Sequence, residues 1–159
     1  VTTDLQITRD AVQAADVIEL LRAHLADMHA TSPPGSIHAL DLDALREPAI
    51  TFWVARRDGA LLGCAALKRL DGTHAEIKSM RTDIAYRGRG VARALLQHVI
   101  DDARAIGCTR LSLETGSQPF FAPARALYAA HGFEQCPAFP PYRSDPASTF
   151  MTRTLSPAR

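Results

Sequence analysis

Cysteine is scarce in this chain of 159 residues: Cys64, Cys108 and Cys136 are odd in number and widely spaced. They suit neither a disulfide framework nor a tetrahedral metal site, and they are the usage expected of a reducing cytoplasm. No run approaches the ~18 apolar residues of a membrane span. The chain opens on no secretory pattern, so no membrane association is expected and the expected location is cytoplasmic. An excess of one charge is missing too. Lys and Arg total 18 and Asp and Glu 17, a formal net charge of +1, too mild to imply a nucleic-acid partner. No repeat or low-complexity tract interrupts a composition that is 47% apolar, ordinary for a globular chain long enough to build one core. Residues 1–159 are therefore read as a single domain.

What is present is one unusual stretch, Tyr86–Ala92, with the sequence Y-R-G-R-G-V-A. It lies between a strand-like segment (Ala75–Thr82) and an amphipathic helix (Val91–Ile106). Gly88 and Gly90 let the backbone turn sharply and let successive N–H groups point the same way. A helix begins at once, bringing its unpaired N–H groups and positive dipole end to the same spot. Arg87, Arg89 and Arg93 surround it, and the only acid from Lys78 to Arg93 is Asp83. These features make an anion cradle of phosphate or pyrophosphate size, from Arg87, Gly88, Arg89, Gly90, Val91 and Ala92. It is not a Walker loop, because no Gly-Lys-Ser/Thr run exists. Nor is it a dinucleotide fingerprint: the third glycine is replaced by Arg93 and no βαβ repeat follows.

Two motifs in order, Arg87-x-x-Gly90-x-Ala92 and Ala124–Phe133 (A-R-A-L-Y-A-A-H-G-F), carry a resemblance. They resemble the loop signature and the closing helix of the GNAT superfamily of acyl-CoA-dependent N-acyltransferases. The likeness covers Ala49–Phe133 firmly and the two ends by general layout. It implies that the loop amides hold the pyrophosphate of coenzyme A and that acetyl-CoA is the acyl donor. No metal is implied, and His74, His98 and His131 fit no metal-ligand spacing.

The remaining pattern is read in chain order. Leu5–Ile7 alternates as a short strand, and Asp10 is a candidate cap for the next helix. Ala14, Ile18, Leu21, Leu25 and Met28 form one apolar face of that helix, which stops at Thr31–Gly35. Residues 31–48 read as a loop with a short helix near Leu42–Arg46. Ile50–Arg57, Ala60–Leu70 and Ala75–Thr82 read as a three-strand antiparallel meander with turns at Arg57–Gly59 and Asp71–Thr73. In the helix after the loop, Ala92, Leu96, Val99, Ala103 and Ile106 share a face that ends at Gly107. Thr109–Thr115 then pairs parallel to Ala75–Thr82, since a helix joins the two. A last helix opens near Pro123, and Phe133–Cys136 and Ser148–Leu155 complete the sheet. The proline- and aromatic-rich loop Pro137–Pro146 is placed to wall one side of the site. The fold class is α+β, a mixed, mostly antiparallel sheet with helices on both faces, and the resemblance adds a splayed parallel strand pair at the cofactor site.

Acyl transfer to an amine requires a held thioester, a deprotonated amine, a stabilised oxyanion and a protonated leaving thiolate. By the resemblance, the backbone of Met80, Arg81 and Thr82 binds the pantetheine arm and the acyl carbonyl. Glu76 is the candidate general base; the other reading of it is an ion pair with Lys78. Tyr128 is the candidate general acid; the other reading is a core aromatic. Where many family members carry an asparagine this chain has Phe121, so contacts to the cofactor arm fall to Ser117, Gln118 or Arg125. Glu114 and His38 are candidates to touch the acceptor, along with His29, Asp41 and Asp43, which read equally as loop residues and a helix cap. No cysteine sits in a nucleophile arrangement, so direct attack in a ternary complex is expected. The acceptor is a small-molecule or protein amine, with a homodimer allowed by the resemblance. The strand ending L-E-T-G-S-Q-P-F argues against the ribosomal N-terminal branch. A non-catalytic acyl-CoA sensor is the alternative, for which Glu76 and Tyr128 would be needless.

Overall fold

The computed structural model of the chain describes residues 4–36 and 41–157. In chain order the elements are β1 (Gln6–Arg9), α1 (Ala15–Thr31), α2 (Leu42–Leu45), β2 (Ile50–Arg57), β3 (Ala60–Arg69) and β4 (His74–Thr82). There follow α3 (Val91–Ala105), β5 (Arg110–Gly116), α4 (Ala122–Ala130), β6 (Glu134–Cys136) and β7 (Ser148–Thr154). Continuous apolar runs, buried on both faces, make β2 and β3, and Asp58-Gly59 joins them with φ of 52° and 80°, the two left-handed residues that a tight hairpin needs. The expected meander is present, and the strands form one sheet in the order β1-β2-β3-β4-β5-β7-β6. Only β4 and β5 run parallel, because α3 carries the chain back across the sheet between them.

Helices cover both faces. On one, Val91, Leu95, Leu96, Val99 and Ile100 of α3 pack with Trp53, Leu67, Ile77, Leu111 and Leu113 of the sheet. On the other, Val17, Leu20 and Leu21 of α1 and Leu45 of α2 pack on Phe52, Val54, Cys64 and Ala66. Each buried Leu or Ile contributes about 1.5–3 kcal/mol to folding, so these two clusters hold the helices on the sheet. The buried face of α1 is rotated from the expected one. Val17, Leu20, Leu21 and Met28 are buried, whereas Ala14 is exposed and Ile18 half-buried. Both stripes contain Leu21 and Met28, and packing against the sheet selects the one that also carries Leu20. Nor does Asp10 cap α1: its carboxylate accepts from the Val12 amide at 2.8 Å, ahead of the helix.

The parallel pair opens partway along. β4 pairs with β5 only from His74↔Arg110 to Ile77↔Leu113, although β4 continues to Thr82 and β5 to Gly116. A bulge in β4 lies just beyond. Between the pairs Ala66↔Lys78 and Cys64↔Arg81, two residues of β4 oppose one of β3, and Ser79 has φ of 53°. Bulges bend their strand, which turns β4 away from β5. Gly63 fixes what lies behind: a Cβ there would sit 2.7 Å from the Arg81 carbonyl oxygen and 3.1 Å from Val91 and Leu95. Only glycine lets the start of α3 press this closely on the sheet, so the glycine loop is held at the mouth of the split.

Candidate active site

The glycine loop turns sharply into α3, as its sequence leads one to expect. Ile84–Tyr86 makes a single 3-10 turn, with the Asp83 carboxylate accepting from the Ala85 amide at 2.9 Å. Gly88 and Gly90 adopt φ of 78° and 82°, where any side chain costs energy. Gly90 is the residue before α3 and offers no side-chain cap, and the first turn of the helix carries no acid. The first amides of a 15-residue helix therefore face outward among three exposed arginines, Arg87, Arg89 and Arg93. The Arg89 guanidinium lies 5.7 Å from the centre of the Tyr86 ring.

Next to the cradle is the open edge of β4. Beyond Ile77 the side that faced β5 has no strand partner, while Arg81 and Thr82 still pair with Cys64 and Gly63 on β3. The Met80 side chain packs toward the α3 core, and the Tyr128 hydroxyl donates to its sulfur at 3.8 Å. Burial, then the Glu114 charge, pushes the Tyr128 phenol up to about 12. It therefore holds its proton at neutral pH. The Arg81 side chain turns to α1 instead, meeting Asp27 at 2.6 Å. Beside it His24 is pushed down to about 4, by burial first and Arg81 second.

On the α1 face of the sheet, β4 presents His74, Glu76 and Lys78, and β5 presents Ser112 and Glu114, by the alternation of the strands. Glu76 is only 2% exposed, and two groups meet at one of its oxygens: Lys78 Nζ approaches it at 3.2 Å and the Tyr142 hydroxyl donates to it at 2.5 Å. Lys78 also donates to the Tyr142 oxygen at 2.6 Å and lies 5.3 Å from the centre of its ring. The ion pair is therefore present. Burial, then Glu76, drives the Tyr142 phenol strongly upward. Glu114 follows the last β4–β5 pair, at the edge of the split. Burial pushes its carboxyl up to about 7; Lys78 and Ser148 pull it down and Glu76 and Asp145 add to the rise. Lys78 thus pairs with Glu76 directly and reaches Glu114 only through its charge.

Other candidates are placed as follows. Arg125 donates to the carbonyls of Gly116 and Gln118 at 2.7 and 3.0 Å, bracing the turn between β5 and α4. Phe121, at the usual asparagine position, is a buried wedge against Gly116, where a Cβ would lie 2.1 Å from its ring. Asp41 caps α2 through the Ala44 amide at 2.8 Å, Asp43 pairs with Arg46 at 3.2 Å, and His29 is exposed on α1. His38 lies outside the described residues. Cys64 is buried, its sulfur donating to the Ser79 carbonyl at 3.3 Å, and burial pushes the thiol up to about 12. A thiol so held is no nucleophile. His74 shares a hydrogen bond of 2.7 Å with Ser112, and His98 meets Trp53 edge-on. Sequence reasoning assigned no site role to Lys78, Tyr142 or His24. Tyr142 lies within the loop expected to wall the site, but nothing in its local sequence indicates Glu76 as its partner.

Residues 16–133 match the family model described as the acetyltransferase (GNAT) family. An uncharacterized N-acetyltransferase of Bacillus subtilis, YsnE, is 50% identical over 151 residues, 95% of this chain and 100% of the relative. The IAA acetyltransferase of Azospirillum brasilense is 40% identical over 148 residues, 92% of both chains. Among solved structures, a provisionally named acyl-CoA N-acyltransferase from Klebsiella pneumoniae superposes with a TM-score of 0.77 at 29% identity, covering 96% of this chain and 98% of that one.

Proposed function

The chain belongs to the acetyltransferase (GNAT) family, and on that premise we propose that it moves an acetyl group from acetyl-CoA to a primary amine by direct attack in a ternary complex. What supports this reading is the split between β4 and β5: the glycine loop and α3 follow β4, the Tyr128 hydroxyl meets Met80 on the unpaired stretch of that strand, and Glu114 just past the last β4–β5 pair acts on Tyr128 through its charge. The cradle residues Arg87–Ala92 take the pyrophosphate, and the open backbone at Met80–Thr82 takes the arm and the acyl carbonyl. Arg125 serves by bracing the neighbouring turn.

The acceptor arrives as an ammonium and meets Glu114, which among the described residues has no cation in direct contact. Glu114 takes one proton, and the freed nitrogen attacks the thioester carbon. The C–N bond forms, the C–S bond breaks, and Tyr128 gives its proton to the departing sulfur. Glu76, held by Lys78 and Tyr142, fixes the frame and keeps the lysine paired. The loss of a second proton from the nitrogen yields the neutral amide, and solvent restores Tyr128 and Glu114. Cys64 takes no part.

Thermal unfolding with acetyl-CoA and with ADP, followed by initial rates of thiol release, tests this. At a hundred times its dissociation constant, a ligand of the native state alone adds ~2.7 kcal/mol of stability. Acetyl-CoA is expected to raise the melting temperature more than ADP does, and double-reciprocal rate plots are expected to intersect. Parallel plots would require an acyl-enzyme and refute direct attack. Stabilisation by acetyl-CoA with no turnover on any amine would favour the non-catalytic sensor.

A further inference from the structure

Beyond Ile77, among the described residues, β4 is paired on one edge only, and its hold on β3 is itself interrupted. The bulge leaves no regular ladder between the pairs Ala66↔Lys78 and Cys64↔Arg81. Ser79, at φ of 53°, takes a conformation strained for any residue with a side chain, so the surroundings must impose it. Contacts from outside the ladder do so. Cys64 donates its thiol to the Ser79 carbonyl at 3.3 Å. Met80 is drawn to the α3 side, where it packs on that core and its sulfur accepts from Tyr128 at 3.8 Å. Arg81 is drawn the other way: its guanidinium donates to the Asp27 carboxylate of α1 at 2.6 Å, across 54 residues of chain.

The Arg81 contact differs from an ordinary surface ion pair, because the Arg81 side chain is only 9% exposed. A cation so buried keeps to its carboxylate, since leaving it unpaired is costly. Asp27 in turn rides on a helix seated on the sheet by Leu20 and Leu21, so it gives the strand a fixed anchor. His24, one turn back on α1, lies by the same pair and is kept neutral, chiefly by burial, so it brings no second positive charge. Opposite anchors on consecutive side chains fix the rotation of a strand about its own axis. That rotation decides where its unpaired N–H and C=O groups point. Resting on the acetyl-transfer reading above, we propose that Asp27 is a positioning residue for the donor: through Arg81 it locks the turn of β4 that aims the open backbone of Met80–Thr82 into the split. Asp27 acts through Arg81 and has no part in the bond changes.

The test is calorimetric titration of the full chain with two probes, acetyl-CoA and ADP. ADP draws on the cradle at Arg87–Ala92 alone, whereas acetyl-CoA draws on the cradle and the strand. Two variants break the link, Asp27→Ala and Arg81→Met; the second removes the cation itself and so leaves no buried charge unpaired. Melting curves check that each is folded. Each is expected to raise the Kd for acetyl-CoA by ~10-fold or more, the scale of one or two lost backbone hydrogen bonds, with the Kd for ADP changed by less than about twofold. Asp27→Asn, which keeps an oxygen for the guanidinium, should fall between Asp27→Ala and the wild type. A general loosening of the fold would weaken both probes together. An acetyl-CoA Kd unchanged in the folded variants, or a loss shared equally by ADP, overturns the proposal. A wild-type chain that binds acetyl-CoA no more tightly than ADP would instead remove the donor reading beneath it.

Discussion

Replacing Glu114 with glutamine is predicted to make the protein more stable above neutral pH and a poorer enzyme. Burial holds this carboxyl at about 7 against an ordinary 4.5. A shift of that size, at about 1.36 kcal/mol per unit, sets a ceiling of ~3 kcal/mol on the cost of the buried charge. The sign follows from proton counting. Between pH 4.5 and 7 the folded chain holds a proton that the unfolded chain has lost, so stability falls as pH rises through that window. Above it the cost is present in full, and below it the cost is absent. Glutamine keeps the shape and removes the charge. Glu114→Gln should therefore gain about 1–3 kcal/mol at pH 8 and nothing at pH 4.5. At roughly 2–4 °C per kcal/mol for a chain of this size, melting curves across that range will resolve it. Activity should move the other way, with kcat falling by ~10²–10⁴ as the proton acceptor is lost. Loss of stability at pH 8, or an offset independent of pH, would mean that the carboxylate is paired and structural, and would refute the reasoning.

Tyr128→Phe keeps the ring packed against Phe133 and removes the hydroxyl beside Met80; kcat should fall by ~10-fold or more with KM for acetyl-CoA unchanged, and an unchanged kcat would return Tyr128 to the core. Glu76→Gln strips Lys78 of its buried counter-charge and should cost about 3 kcal/mol or more in chemical denaturation, an effect absent if no ion pair forms. His24, pushed down to about 4 from 6.5, stays neutral in the fold, so it contributes stability above pH 6.5 that is lost as pH falls through about 4. His24→Phe should therefore flatten the acid limb of the stability curve, and a limb as steep as the wild type's would place the acid-sensitive group elsewhere.

Local rules made most of the frame legible. Asp58-Gly59 announced a hairpin, the helix between Thr82 and Thr109 demanded a parallel pair, and Gly88 and Gly90 announced backbone that only glycine adopts readily. Each depends on residues a few positions apart. The α1 face was less legible, because Leu21 and Met28 belong to two overlapping helical stripes and only the sheet decides between them. What joins distant segments left no local trace. Tyr142 reaches Glu76 across 66 residues and Ser36 reaches Asp145 across 109. The Glu76–Lys78 pair was anticipated, since alternation puts both on one face, but burial and the second carboxylate at Glu114 emerge only when β4 and β5 are brought together. That juxtaposition shifts attention for the proton acceptor from Glu76 to Glu114.

Thiol release from acetyl-CoA by the wild-type chain, with and without small primary amines, tests the central claim most directly. Amine-dependent release, matched by acetylated amine in the product mixture and largely lost in Glu114→Gln and Tyr128→Phe, is the result expected. Release that is independent of any amine, or equal in all three proteins, would contradict the assignment of this site to acetyl transfer.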